Sequence, residues 1–465
     1  MLTFRAAHGY CALGLSATLL LGPIGQHFRI DLYRCPVWPV WPVRLALCVS
    51  FLLCVGCLWF AWQKLLRLAE AGLLSLRFAA FSTVLWHGAA LLSPPFLSDD
   101  PLFYLALGRA LSVDPGAAGK SLVSVLGTAD EVVRLLPPHW QQGQSAYQSG
   151  FHALAWLVQA VPGLSLSGRL TVYQAMSFAA VLGASALCAR VVQRQGLSAA
   201  VGFSLVGLSP LAVLEATLSA HNDVWLLLCM AAFVFFRSAS RRTAPVCLLL
   251  GLLIKLSALL PLMLLCAAWL QRNCARFLGS LSARMRLVLL FAAALAGFLL
   301  LLARLPAPVL WGLLGSPDAP WEMCTRSLEC LPRAVLRYVF LRPDWSYAVG
   351  VVARFASGCW LLWVARPSQR ASDLEAMAAG LFGYYLYFHG WAQTWYFLPL
   401  LPLQLHLGAR PRRAFEALGF SGCGYYALAL FRNCVTHPAQ VALFELAEGL
   451  ATVLPPTVIL LRGRK

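Results

Sequence analysis

The sequence predicts an all-α, polytopic membrane protein with about 12–14 transmembrane helices. The chain has 465 residues, of which 60% are hydrophobic and only 12% are charged, whereas soluble domains are about 45–50% apolar and about 25% charged. Apolar runs such as Leu45–Trp62 and Val441–Leu461 approach or reach the roughly 20 residues that a membrane-spanning helix needs. Their polarity does not alternate as it would in the strands of a membrane barrel. We therefore expect one transmembrane domain over residues 1–465.

The positions of Lys and Arg predict the topology, because these residues collect in cytoplasmic loops. With the N-terminus inside, three spans bring the chain out at Ser93, where a long outer loop of residues 93–169 begins. A second outer loop covers residues 305–345. The predicted spans are 10–26, 43–63, 72–92, 170–189, 198–214, 223–236, 287–304, 346–365, 374–390, 395–408, 415–432 and 440–461.

Two further apolar segments do not fit single spans. Residues 150–163 are apolar, but counting them as a span would invert the topology that follows, so we interpret them as a helix lying in the outer interface. Residues 244–270 are too long for one span and carry Lys255 at their centre. We expect either two short helices that turn at Lys255–Ser257 or a re-entrant hairpin.

The formal charge of +18 would suggest nucleic acid in a soluble protein. In a membrane protein the same excess is explained by cytoplasmic Lys and Arg, and we expect no nucleic-acid partner. Most of the 15 cysteines lie in apolar runs, where cysteine behaves as a small hydrophobic residue. Cys324 and Cys330 share an outer loop, so a disulfide between them is an open alternative if that loop faces an oxidising compartment.

The first polar cluster stands where the third span ends, at Ser98-Asp99-Asp100-Pro101. One interpretation is structural, since Ser98 or Asp99 can cap the next helix with Pro101 in its first turn. Capping does not explain two adjacent carboxylates at the membrane edge. There a partly desolvated carboxylate has a raised pKa, which suits a general base or a metal ligand. Asp99 is slightly favoured over Asp100 as the base, because it stands nearer the apolar span.

A second cluster places Glu215 and then His221-Asn222-Asp223 in a short outer turn between two spans. An ordinary turn with an Asn-Asp cap would explain part of it. Glu215, at the end of an apolar run, is harder to explain structurally, because ionisable groups in membrane segments are costly and usually functional.

The third and fourth clusters are Lys255 in mid-membrane and an aromatic stretch over residues 384–396. Lys255 could snorkel to the interface, or it could form an anion site for a lipid-linked phosphate. The aromatic stretch could be an interfacial belt. Its Trp and Tyr faces also suit a sugar cleft, since they stack on the apolar faces of a pyranose.

These clusters, in this order, resemble the C-type (GT-C) membrane glycosyltransferases, and most closely the polyprenyl-phosphate-mannose-dependent mannosyltransferases. The resemblance covers roughly residues 70–405. In this sequence Ala220, Leu256 and Thr394 stand where that family usually has Gly, Pro and Pro. The matching segments are Ser98-Asp99-Asp100, Tyr104, Gly108-Arg109, Val113-Asp114-Pro115, Pro210 with Glu215, Ala220-His221-Asn222-Asp223, the Lys255 segment and Gln393-Thr394-Trp395-Tyr396.

The resemblance implies transfer of a hexose, most simply mannose, from a polyprenyl-phosphate donor to a glycan or lipid acceptor. The site would face outward from a bacterial inner membrane, among membrane lipids. Asp99 or Asp100 would be the catalytic base, and Lys255 and Arg109 would hold the phosphate. No cofactor is expected, although a divalent ion at Asp99 and Asp100 is an alternative. The implied substrate-binding residues are Tyr104, Arg109, Glu215, His221, Asn222, Asp223, Lys255, Gln393, Trp395 and Tyr396.

Two other functions fit parts of the pattern. A polytopic lipid or sugar transporter or flippase would also bury charge along a pathway, but it would carry internal repeats and broken helices in matching halves. A polysaccharide polymerase or ligase would share the donor type but not this order of motifs. A purely structural membrane protein is the alternative that explains Lys255 and the acidic residues of the predicted outer loops least well.

Overall fold

The protein is described here from a computed structural model, which covers residues 2–33, 41–239, 243–277, 328, 330–336, 340, 343–364, 373–389, 393–432 and 438–462. The fold is 83% helical, and the described residues contain no strand. The helices are α1 (Leu2–Tyr33), α2 (Trp41–Glu70), α3 (Leu76–Leu91), α4 (Asp100–Val113), α5 (Leu122–Leu126), α6 (Pro138–Gln142), α7 (Ser149–Ala160), α8 (Leu166–Arg194), α9 (Ala199–Gly207), α10 (Asp223–Ala239), α11 (Ala244–Leu252), α12 (Leu259–Phe277), α13 (Cys330–Ala334), α14 (Pro343–Val364), α15 (Asp373–Gly383), α16 (Ala409–Arg432) and α17 (Pro438–Leu461). Shorter 3₁₀ segments are Ala117–Gly119, Val133–Leu135, Leu256–Ala258, Thr394–Leu400 and Pro402–His406, and π-helical turns are Ala212–Leu218 and Tyr384–Phe388.

Among the described residues, four helices are long and apolar enough to cross a membrane, and a fifth span is obtained if α9 and the π-helical turn Ala212–Leu218 are counted as one bent pair. The straight spans are Phe4–Gly25, Pro42–Glu70, Leu166–Arg194 and Leu443–Leu461. The all-α polytopic prediction is therefore confirmed. The count of 12–14 spans and the single domain over 1–465 stay predictions, because span 287–304 and most of the loop 305–345 lie outside the described residues.

Serine caps begin several of these helices. The side chains of Ser75 and Ser165 accept the backbone N–H groups of Phe78 and Gly168, at the first turns of α3 and α8. Each bond satisfies one of the four N–H groups that a helix leaves without a partner at its N-terminus. The caps set where the chain turns into a helix after each connection.

The predicted outer loop, residues 93–169, is folded into helices and is called the outer layer below. Its helices α4 and α7 pack closely, and Gly108 makes this approach feasible, since an added Cβ would lie 2.3 Å from the carbonyl oxygen of Ala155. The helix at Ser149–Ala160 matches the one expected over 150–163, and its position in the membrane interface stays a prediction. A hydrophobic core separate from that of the spanning helices includes Phe103, Tyr104, Tyr147 and Phe151.

The segment 244–270 forms two helices with the break where it was predicted, at Lys255–Ser257, but only α11, with 9 residues, is short, since α12 has 19 residues and continues to Phe277. A break in an apolar helix leaves carbonyl groups that need donors. The outer layer supplies them, because the N–H of Gln148 donates to Ile254 O (3.2 Å) and the N–H of Gly150 donates to Leu253 O (2.7 Å). The outer layer therefore holds the broken helix beside Lys255.

A second break lies between α9 and the π-helical turn Ala212–Leu218, where the chain bends by 59°. The buried imidazole of His87 bridges it, with Nε2 2.8 Å from the carbonyl oxygen of Gly207 and Nδ1 2.6 Å from Thr217 Oγ1. π-Helical turns recur at functional sites. This turn carries Glu215, which is fully buried.

Candidate active site

Residues from all four polar clusters of the sequence meet in one buried region at the junction of the outer layer and the spanning helices. Asp100 comes from the start of α4, His221 and Asp223 from the start of α10, Lys255 from the break before α12, and Trp395 from the 3₁₀ segment Thr394–Leu400. Since these residues are up to about 300 positions apart in the chain, only the tertiary fold brings them together.

Asp100 is at the centre of this group. Its side chain is about one tenth exposed, and its Oδ2 lies 3.2 Å from His221 Nδ1. Oδ2 also accepts a hydrogen bond from the Tyr104 hydroxyl (3.3 Å), which in turn accepts the backbone N–H of Asn222 (3.3 Å). Both contacts fall on Oδ2.

The surroundings of Asp100 stabilise its ionised form. Burial alone would raise the pKa of this carboxyl, but the hydrogen bond from His221 and the charges of His221 and Lys255 bring the pKa below its usual value. Burial, followed by the charges of Tyr147 and Asp100, raises the pKa of the Tyr104 hydroxyl well above its ordinary value. At neutral pH Tyr104 is therefore a hydrogen-bond donor and Asp100 an acceptor.

Asp99 stands at the N-cap position of α4, but its side chain makes no capping hydrogen bond. The hydroxyl of Ser98 accepts the N–H of Asp100 instead, at 3.1 Å. Asp99 and Asp100 are equally buried, each 7% exposed. The sequence argument that Asp99 is the more desolvated of the two is therefore wrong, because the turn before α4 folds both carboxylates inward.

His221 links Asp100 to a second buried acid. Its Nε2 lies 3.5 Å from Glu215 Oε2, and both side chains are fully buried. The hydroxyl of Tyr426 is 2.9 Å from each carboxylate oxygen of Glu215, to which it donates a hydrogen bond. The imidazole of His221 therefore lies between the carboxylates of Asp100 and Glu215. Tyr426 from α16 contacts Glu215.

The imidazole of His221 also lies flat against Trp395, with ring centroids 3.9 Å apart and planes inclined by 18°. This stacking fixes the ring plane, so that one nitrogen faces each acid. Gln393 is buried and precedes the 3₁₀ segment that carries Trp395. The 3₁₀ segment that carries Trp395 therefore orients the His221 ring. The contact of its aromatic side chains with a sugar stays a prediction.

Lys255 has an anionic neighbour within the protein. Its Nζ is 2.7 Å from Asp223 Oδ2, and the two side chains are 14% and 2% exposed. The same ammonium lies 4.2 Å from the centroid of the Tyr396 ring, a cation–π distance. These two contacts hold the ammonium inside the protein. It lies at the site, paired with the residue that begins α10.

The turn that carries His221 has an unusual backbone. Ala220 has a φ of +51° and is the only described residue other than glycine with a positive φ. This left-handed conformation costs a residue with a Cβ roughly 1–2 kcal/mol, which explains why related sequences are expected to have Gly there. Asn222 follows in the same turn, 1% exposed, and its side-chain amide forms no hydrogen bond with any described residue.

Arg109, predicted to hold phosphate, is engaged elsewhere. It forms ion pairs with Asp130 and Glu131, each at 3.0 Å, and is partly exposed. Nine residues of α4 separate it from Asp100, roughly 13 Å along the helix axis. The structure brings the other predicted site residues together around Asp100, His221 and Lys255, but it does not bring Arg109 there. Its phosphate role stays a prediction.

Two aromatic residues near the site were not predicted from the sequence. Tyr147 packs against Tyr104, with ring centroids 5.4 Å apart, and Tyr426 holds Glu215. Neither belongs to a recognisable motif, and Tyr426 lies in the C-terminal region, where we recognised no motif. A buried tyrosine in a spanning helix is a weak signal, since it is also common in interfacial belts.

The described residues contain no group of three or more His, Cys, Asp and Glu side chains arranged to hold a metal ion. The carboxylate of Asp100 faces the imidazole of His221 and lies near Lys255 instead. The expectation of a reaction without a cofactor stays a prediction and can be tested by chelation.

The fold is that of an all-α membrane protein, and the comparison with protein families identifies a glycosyltransferase. The chain belongs to the MptA/B family, since the family's alpha-(1->6)-mannopyranosyltransferase N-terminal domain matches residues 16–271. This match confirms the resemblance to membrane mannosyltransferases, and it does not favour the transporter alternative. No curated protein and no solved structure matches the chain.

Proposed function

We propose that this mannosyltransferase takes mannose from a polyprenyl-phosphate donor and transfers it to a hydroxyl of a glycan or lipid acceptor, within a GT-C architecture. The observation that carries the proposal is the meeting of an ionised carboxylate, Asp100, with a buried cation, Lys255. A base and an anion site are the two groups that such a transfer needs.

In the proposed reaction the acceptor oxygen attacks the anomeric carbon as the bond from that carbon to the phosphate oxygen breaks. The hydroxyl proton passes to Asp100 Oδ1, and the polyprenyl phosphate leaves with the bond's electron pair, so the configuration inverts. Lys255 lies close enough to influence Asp100 and would stabilise the leaving phosphate. The hydrogen-bonding groups of the Asn222 side chain, buried among these residues, would bind sugar hydroxyls, since an unpaired buried amide is costly.

The site would face outward from a bacterial inner membrane. Two observations support this side. Lys and Arg concentrate in the segments that the topology assigns to the cytoplasm. In addition, Cys330 is disulfide-bonded, and the nearby N–H of Leu328 donates to Leu386 O (3.1 Å) in the aromatic segment beside Tyr396. Disulfides persist in oxidising compartments. Cys324, the predicted partner of Cys330, lies outside the described residues.

A transfer assay tests the proposal. Membranes containing the protein are supplied with labelled mannose on polyprenyl phosphate or on a nucleotide diphosphate, and label is followed from donor to acceptor. We expect transfer from the lipid donor only, and a loss of at least about 10²-fold in Asp100→Asn, which keeps the size of the side chain but removes the base.

Asp114→Asn is the matched control, because Asp114 is an acid of the same loop that pairs with Lys120 at 2.7 Å, away from the site. Transfer from the nucleotide donor, or equal activity of the two variants, would contradict the proposal.

A further inference from the structure

A second large feature lies at the opposite end of the spanning helices from the candidate active site. It is a cleft of about 830 Å³ between α2 and α16, closed on one side by Ile459 of α17. Pockets that hold small ligands typically measure about 300–1,000 Å³. Arg412, at this cleft, precedes Tyr426 by fourteen residues on α16, which places the two roughly 21 Å apart along the helix axis.

The cleft joins basic and apolar surface. Its charged end holds Arg67, Arg412 and Arg413, and its apolar wall includes Trp59, Phe60 and Phe420. Phe60 and Phe420 are 48% and 41% exposed. Phe60 precedes Arg67 by seven residues, so the apolar wall extends roughly 10 Å along the helix from the charged end.

The three arginines differ in the ion pairs that they form with the described residues. Arg412 pairs with Glu70 (2.8 Å) and Glu416 (3.3 Å), whereas Arg67 and Arg413 form no ion pair with any described residue. The cleft is thus lined by three arginines and only two carboxylates, those of Glu70 and Glu416. The cleft therefore carries an excess of positive charge next to exposed aromatic surface.

This end of the protein is the one that the topology assigns to the cytoplasm. The inner leaflet of a membrane is rich in anionic lipids, and basic pockets between spanning helices bind their headgroups. An anionic phospholipid offers both a phosphate for the arginines and acyl chains for the aromatic wall. A free phosphate would use only the charged end.

We propose that the cleft between α2 and α16 is a binding site for one anionic glycerophospholipid of the inner leaflet. Arg67 and Arg413 hold the phosphate, and Trp59, Phe60 and Phe420 contact the acyl chains. The site is separate from the candidate active site and does not depend on the identity of the sugar donor.

The test measures lipid binding to the purified full-length protein in detergent by native mass spectrometry. The probes are phosphatidylglycerol, phosphatidylcholine, polyprenyl phosphate and inorganic phosphate. We expect phosphatidylglycerol to bind more tightly than phosphatidylcholine. Arg67→Gln and Arg413→Gln should each weaken it about fivefold, and the double variant about 25-fold, since each basic group near an anionic surface is worth about 1 kcal/mol. Arg190→Gln, an exposed arginine of the same predicted side outside the cleft, should have no effect.

A variant that binds phosphatidylglycerol more tightly is the control for variants that lose binding because they unfold. Glu70→Gln removes a partner of Arg412 and should tighten phosphatidylglycerol binding. Equal affinity for the anionic and neutral phospholipids would overturn the proposal, and so would a double variant that binds as the parent does. Polyprenyl phosphate whose binding is weakened by Arg67→Gln and Arg413→Gln, or complete competition by inorganic phosphate, would assign the cleft to a different ligand and would overturn the proposal as well.

Discussion

The buried pair of Lys255 and Asp223 allows a sharp test of how the site is held together. We consider Lys255→Met, Asp223→Asn and the double variant. The two charges are 2.7 Å apart and almost fully buried. Removing one member of such a pair costs about 3–5 kcal/mol, because the other charge stays buried without compensation, whereas replacing both can be nearly neutral.

The two single variants should differ. Lys255→Met leaves the carboxylate of Asp223 beside that of Asp100, so its cost should lie at the upper end of that range. Asp223→Asn leaves an ammonium that still has the Tyr396 ring at 4.2 Å and the charge of Asp100, so its cost should lie at the lower end. The double variant should recover most of the stability but should bind a lipid-phosphate donor poorly, because the cation is gone.

Unfolding can be followed in detergent with a fluorogenic thiol reagent, because thiols such as those of Cys11, Cys48 and Cys188 are buried in the folded protein and react only when it opens. Asp114→Asn serves as the control for a change of charge outside the site. Additive losses in the double variant would refute the reasoning, and so would a Lys255→Met protein as stable as the parent.

Further outcomes are expected at and near the site. Asp99→Asn should lose less transfer activity than Asp100→Asn, as measured side by side, and the reverse order would restore Asp99 as the base. Because the Asp100 pKa is lowered, its ionised form persists as the pH falls, and the acidic limb of the rate profile should lie below about pH 4; a limb at pH 5–6 would contradict this. Tyr426→Phe should reduce transfer about tenfold, as expected for loss of a hydrogen bond to a buried charge, and an unchanged rate would remove Tyr426 from the site. Ala220→Gly should stabilise the folded protein by about 1 kcal/mol, seen as a higher unfolding midpoint, because it relieves the left-handed φ; a lower midpoint would argue against strain. Transfer should survive excess EDTA, and loss restored by a divalent ion would establish a metal site.

The amino-acid composition and the pattern of apolar residues were sufficient to predict the class of fold. Apolar runs near the length of a span predict helices, since a backbone in hydrocarbon must satisfy its own hydrogen bonds. The break at Lys255 was predictable as well, because an uninterrupted helix would bury a bare ammonium. Clusters that are local in sequence, such as His221-Asn222-Asp223, also stood out, since their residues are close by covalent connection.

What the sequence determined by itself was therefore the membrane class, the break at Lys255 and most of the site's residue types, because each depends on neighbours in the chain. Which residues pair was decided only by the tertiary structure. It joined Asp100 to His221, Lys255 to Asp223 and Glu215 to Tyr426, across as many as 211 positions, and it kept Arg109 away. Such pairing depends on how helices from distant parts of the chain pack, and a single sequence contains no local signal of that packing.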